Sequence, residues 1–332
     1  MKFGLFTDVS AGTANGGKTG FASAQMLETF GDYVCEAERL GFHGAFLVEH
    51  HFTGNGQVSS SLSVLASLAG RTSKIRLGTA VVVLPWHNPV LLAEQIATID
   101  QLSRGRFDFG VGRGYRPHEF SGFRMTREEA AERYEEILAF CMKAWTSKER
   151  FDHAGRFFQF DNVVVDPPVY QDPHPPIWMG ATSEQSVMRA GQEGYKLLLD
   201  QIATADLIGK RIAQYRKAAD AAGRKVPSQS IGVTRALQLV DNEDDLRRAY
   251  EHRSKMLDAL ASQTGPKWES FTTRGEGSFG VDEAALIGYP QDVVRKIKDL
   301  KANGVDYVLL ADFSASKDSL RTFAREVMPH FQ

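Results

Sequence analysis

The sequence predicts an α/β protein folded as a single (β/α)8 TIM barrel. Short β-rich apolar runs alternate with amphipathic segments from one end to the other, and eight such runs occur. The 332 residues suit one large barrel with insertions, since such folds need roughly 250 residues and accept more. Composition agrees, with 42% hydrophobic and 24% charged residues, the make-up of a globular chain with a large core.

In order, strands are expected at 2–7, 44–48, 75–83, 106–111, 176–180, 196–200, 230–240 and 305–311. Helical periodicity fills the intervals at 26–40, 58–72, 90–103, 127–146, 184–193, 204–221, 243–261, 291–302 and 317–328. Two stretches break the rhythm, placing insertions after the fourth and seventh strands. Residues 147–176, with "FDHAGRFFQFDNVVVDPPVYQDPHPP", predict a small hairpin and a Pro-rich crossing. Residues 262–289 are rich in Gly, Ser and Thr, and so long a loop in a compact domain predicts a lid or binding loop. All 332 residues are expected to form one domain.

A doubly wound sheet is the rival architecture, because "GVGRGY" at 110–115 resembles a dinucleotide fingerprint. The third glycine of that motif is missing, and Pro117 stands where its helix should be running.

Charge narrows the function. The net charge of −2 comes from 39 basic and 41 acidic residues mixed along the chain, which speaks against a nucleic-acid surface or a polybasic membrane anchor. The N-terminus, MKFGLFTD, has no long apolar region, and no apolar stretch approaches the roughly 18 residues that span a bilayer, so a cytoplasmic location is expected. Cys35 and Cys141 fall inside helical patterns and read as reduced core thiols.

Chemistry is expected at the C-terminal strand ends and the loops after them. There "FLVEHHF" (46–52) ends a buried strand in Glu49, His50 and His51, polar groups that are costly to bury alone. The histidines are metal ligands, satisfied structural residues, or one of them faces a pocket as an acid/base. If the strand runs through them, adjacent side chains take opposite faces and cannot share one ion, and the chain has no HExxH or Cys cluster. After the fifth strand, "GATSEQS" puts Thr182, Ser183 and Ser186 at a helix start, where backbone N–H groups, the helix dipole and hydroxyls suit an anion or make a plain N-cap. Arg113, after the fourth strand, offers a guanidinium to the same phosphate, which implies a phosphorylated ligand.

"MKFGLF", "FLVEHHFT", "LGTAVVVLPWHNPVLLAEQIATIDQLSRGRFDFGVGRGY" and "IGYPQDVV" together resemble the bacterial luciferase-like flavin-dependent monooxygenases, closest to the alkanal monooxygenase alpha-chain branch. The resemblance is dense over 1–140 and collinear to the end. It implies a luciferase-like (β/α)8 barrel and a two-component enzyme: reduced FMN, supplied by a separate NAD(P)H-dependent flavin reductase, reacts with dioxygen to a 4a-peroxide that oxidises a small organic substrate. It further implies that His50 is the catalytic acid/base and that Arg113, Thr182, Ser183 and Ser186 hold the FMN phosphate. Thr79, Ala80 and Val81 match a stretch that carries a non-proline cis peptide beneath the flavin ring. A homodimer formed through helices 58–72 and 90–103 is implied as well.

The sequence departs from the luciferase alpha chain at Gly112, where that chain has a reactive cysteine. Gly112 is expected to leave more room beside the flavin, and light emission is not expected. Two alternatives remain: a deazaflavin-dependent hydride-transfer oxidoreductase of the same superfamily, and a non-catalytic flavin-binding partner subunit.

Overall fold

The computed structural model describes residues 1–7, 20–53, 59–264, 284–312 and 316–332. Its strands are β1 (Lys2–Thr7), β2 (Gly44–Leu47), β3 (Arg76–Thr79), β4 (Val82–Val83), β5 (Phe107–Gly112), β6 (Phe151–Ala154), β7 (Gln159–Val163), β8 (Ile177–Gly180), β9 (Lys196–Leu199), β10 (Ile231–Leu239), β11 (Leu286–Gly288) and β12 (Tyr307–Asp312). The helices are α1 (Gly20–Arg39), α2 (Ser61–Arg71), α3 (Pro89–Ser103), α4 (Pro117–Gly122), α5 (Arg127–Thr146), α6 (Glu184–Glu193), α7 (Ala205–Ala221), α8 (Glu243–Thr264), α9 (Pro290–Ala302) and α10 (Lys317–Glu326). The strand order β10-β12-β1-β2-β3-β5-β8-β9, with β9 pairing again with β10, is that of a closed (β/α)8 barrel. Among the described residues no helix is long and apolar enough to cross a membrane.

By contacts the chain divides into two compact units. The first holds residues 1–7, 32–46 and 178–332. In it β12 pairs with β1 and β10, and β10 pairs with β9 and β11, all in parallel. Phe46, Trp178 and Tyr307 meet edge to face at 5.8 to 5.9 Å, each almost wholly buried. Room for them comes from glycine: a Cβ at Gly4 would lie 2.7 Å from the Tyr307 hydroxyl, and one at Gly232 would lie 2.9 Å from the Trp178 ring. Asp306 accepts the backbone N–H groups of Gln229, Ser230 and Ile231 and so fixes the entry to β10.

The second unit holds residues 8–31 and 47–177. Here β5 pairs in parallel with β3 and with β4. Asn88 caps α3 by accepting from Val90 and Leu91, with Pro89 at the first helical position where its missing N–H costs nothing. Thr126 caps α5 in the same way. The insertion after β5 and α5 is the expected hairpin, β6 against β7, packed on α5 through Phe140, Phe151, His153 and Phe160. Glu136 of α5 accepts from Phe157 N and Phe158 N and holds the turn. The Pro-rich crossing, with cis Pro167 and cis Pro173, is tied down by Asp100, which is fully buried and accepts from Tyr170 N, Gln171 N and Gln171 Nε2.

Three expectations need correction. The run 75–83 is two strands, interrupted at Ala80 and Val81. A helix that periodicity did not predict, α4, occupies 117–122 with Pro117 as its first residue. The ends of the expected loop 262–289 are ordered structure: α8 runs to Thr264, Ala284 and Ala285 are buried, and β11 pairs with β10. Residues 265–283, the heart of the predicted lid, lie outside the described residues.

Candidate active site

The chain leaves β2 at Leu47, so Glu49, His50 and His51 are not in a strand and the alternation expected of them does not apply. Separation comes instead from two buried carboxylates. Glu119, on α4 and 1% exposed, accepts from the His50 ring at Nδ1 (3.0 Å) and from the backbone N–H of His51 (3.0 Å), both at Oε1. Glu49, 3% exposed, takes His51 Nε2 and His87 Nε2 at Oε1, each at 2.8 Å, and the Val83 N–H at Oε2. His87 arrives from "PWHNP", just after the 3-10 turn Leu84–Trp86.

Burial alone would push both carboxyls up. For Glu49 the hydrogen bonds from His51, His87 and Val83 and the charge at His87 outweigh it and hold the group at about 2. For Glu119 the His50 and His51 contacts and the nearby Arg116 also win, and the carboxyl lies below its usual range. Both are therefore ionised at neutral pH. A carboxylate only accepts, so the proton in the short contact to Glu119 sits on His50 Nδ1. Glu119 Oε2 is buried and has no hydrogen-bond partner among the described residues. Tyr115 stands edge-on to the His50 ring at 5.9 Å. Beyond His51 an aromatic wall continues through Phe123, stacked on Trp86 at 4.6 Å, to Phe52, which is 58% exposed.

The remaining expected residues are placed as follows. Thr79 is fully buried, and its hydroxyl donates to Gly110 O and accepts from Gly110 N, so any part it plays in a ligand site is through its backbone. The Ala80–Val81 peptide is cis. Gly112 does not leave open space as expected: a Cβ there would lie 2.4 Å from Val81 Cγ2, so Val81 already fills the volume that a side chain at 112 would take. Arg113 is exposed and makes no hydrogen bond or ion pair with the described residues. All of these lie in the second unit with His50.

Thr182, Ser183 and Ser186 belong to the first unit. Ser183 is the N-cap of α6, accepting from Ser186 N, while Ser186 Oγ bonds Ser183 O at 2.8 Å and contacts Ser183 Oγ at 2.9 Å. The Thr182 hydroxyl has no partner among the described residues, and Glu184 already places a carboxylate in the first turn. The Arg113 guanidinium in the second unit and the Thr182 hydroxyl in the first are each, taken alone, of a kind that suits a phosphate ester. Among the described residues no cluster of His, Cys, Asp or Glu suits a metal ion. Cys141 is buried, which pushes its thiol up, and Cys35 is half-buried; neither is in a disulfide.

The luciferase-like monooxygenase family matches residues 1–307. The chain belongs to that family. Among its relatives, the oxygenase component of the flavin-dependent trigonelline monooxygenase of Acinetobacter baylyi is 27% identical, over 90% of this chain and 88% of that protein. The alkanal monooxygenase alpha chain of the Kryptophanaron alfredi symbiont is 26% identical, over 89% and 90% of the two chains. Of solved structures, monooxygenase RslO1 from Streptomyces bottropensis superposes over 100% of both chains, with a TM-score of 0.85 at 28% identity. This protein is thus an enzyme of the luciferase-like monooxygenase family, with the barrel fold of that family. Within it, "EHH" carried a signal of chemistry in the sequence itself. Glu119 carried none, because nothing local marks it as a partner of that run.

Proposed function

We propose that this chain is the oxygenase of a two-component monooxygenase, taking reduced FMN from a separate flavin reductase and using dioxygen to oxidise a small organic molecule. The observation that carries the reading is the His50 ring, anchored at Nδ1 on a buried carboxylate in a loop that follows a barrel strand. Bound reduced flavin would supply the electrons that activate dioxygen. The chain's own residues would bind and orient it, exclude water and move protons. In this reading His50 is the acid/base, and Ala80, Val81 and the Thr79 backbone support the ring. Arg113, in the same unit as His50, acts on the phosphate. The trigonelline monooxygenase relative, named as an oxygenase component, supports the two-component arrangement.

The test is His50→Ala. Substrate oxidation should fall by about 10²- to 10⁴-fold while FMN affinity stays close to wild type. Wild-type turnover in that variant would remove His50 from the chemistry. The deazaflavin alternative is decided by titrating the protein with each cofactor and following absorbance, and tight binding of deazaflavin with none of FMN would favour it. Turnover with a generic flavin reductase separates an enzyme from a silent partner subunit.

Assembly as a homodimer belongs to the same reading. Apart from Arg71 at the end of α2, the exposed positions of α2 (Ser63, Ser67, Gly70) and α3 (Leu91, Gln95, Thr98, Leu102) are uncharged, and Leu91 and Leu102 are 57% and 53% exposed.

A further inference from the structure

We propose that Glu119 is the positioning residue for His50: by accepting a hydrogen bond from Nδ1–H at Oε1 it reserves Nε2 as the atom that accepts and returns the proton. The inference rests on the reading of His50 as the acid/base. Two features of the geometry carry it. The same oxygen, Oε1, receives both the His50 ring and the His51 N–H at 3.0 Å, so one carboxylate fixes the ring and the backbone that bears it. Its other oxygen is buried without a hydrogen-bond partner among the described residues, so the hydrogen bonds given for the carboxylate are made through Oε1. A carboxylate taken out of water and hydrogen-bonded through one oxygen couples strongly to the group it touches.

The proton balance is simple. Neutral His50 accepts a proton at Nε2 and becomes an imidazolium; the Nδ1–H bond stays intact, and Glu119 stays ionised beside the new positive charge. Returning the proton from Nε2 restores the neutral ring in the tautomer it had before. The charge of Glu119 lowers the cost of the imidazolium and so sets the pH at which the ring changes state.

Other polar and titratable groups surround the pair. From the same loop come Glu49 and His51, from the segment before α4 Tyr115 and Arg116, from α4 itself His118, and from the turn after β4 His87. Glu49 is committed to His51 and His87. His118 Nε2 is bonded to His51 O at 3.2 Å, where a carbonyl can only accept. Arg116 acts on Glu119 by charge.

The experiment is nitrogen-15 NMR of the histidine rings in the flavin-free protein, with His50 assigned by its loss in His50→Ala. At neutral pH the wild-type His50 should show a protonated Nδ1 and an unprotonated Nε2. Glu119→Gln keeps an acceptor for both N–H groups and removes the charge. It should move the His50 titration, and the acid limb of turnover with it, down by about one pH unit or more. Glu119→Asp, which keeps the charge, should lie closer to wild type than Glu119→Gln. An Nε2-protonated His50 in the wild type, or a Glu119→Gln titration that coincides with wild type, would overturn the inference. Because the tautomer is read without turnover, its result stands apart from the His50→Ala rate test, on which the functional reading itself depends.

Discussion

Glu49 and Glu119 decide how the histidines after β2 behave, and each has a measurable consequence. Glu49 is held at about 2 in the folded chain, against an ordinary glutamate value near 4.3. Its folded value is depressed, so its contribution to stability is fully present above the ordinary value and is lost as pH falls from there toward 2. That contribution is about 3 kcal/mol. Urea denaturation of wild type and Glu49→Gln should differ by about that amount at pH 7 and converge only as pH falls to about 2. Parallel curves over the whole range would mean that Glu49 is not ionised in the fold. At Gly112, Gly112→Ala should cost about 1–3 kcal/mol, because Val81 is β-branched and cannot swing its methyl aside cheaply. Adding Val81→Ala should return most of that cost, and simple additivity of the two changes would show that they do not touch. Arg113→Ala should weaken FMN by about 10- to 100-fold and riboflavin far less, as loss of a charge-assisted phosphate contact requires. Equal losses measured by fluorescence titration would place Arg113 away from the phosphate. The sequence exposed His50 because three polar groups end an apolar run. Glu119 stayed hidden because only the fold brings it across 69 positions to the ring.

Among the elements, periodicity located α5 and α6 to the residue, since each has a side-chain cap that stands out in sequence, Thr126 and Ser183. It missed α4, where no helix was expected, although the ring of Pro117 is tolerated at the first helical position. It also failed to break 75–83, because Ala80 and Val81 continue the apolar pattern while leaving the strand. The Pro-rich crossing shows how an irregular segment is held in place. Asp100, an acid inside the apolar face of α3, receives two backbone N–H groups and one amide from it. Asp100→Ala would leave those donors without their acceptor and should cost about 3 kcal/mol. Limited proteolysis should then cut within 164–172 well before the rest of the chain. A crossing as resistant as wild type would mean that the packing of Tyr170 and the prolines suffices.

For the molecule as a whole, the βα alternation was enough to read the barrel, because eight strands each followed by a helix leave few ways to bury both faces of a parallel sheet. What alternation does not encode is which surface meets another copy. The faces of α2 and α3, uncharged apart from Arg71, predict a homodimer, so light scattering should give twice the 36.8 kDa chain mass, and Leu91→Arg with Leu102→Arg should give the monomer. A wild-type monomer would refute this. Function is tested most directly by supplying the protein with reduced FMN, isotopically labelled dioxygen and a panel of aldehydes, ketones, sulfonates and amines, and weighing the products. Wild type should place one labelled oxygen atom in a product that His50→Ala scarcely forms. Turnover without any label, proceeding equally well in the absence of dioxygen with a reduced deazaflavin, would contradict the account.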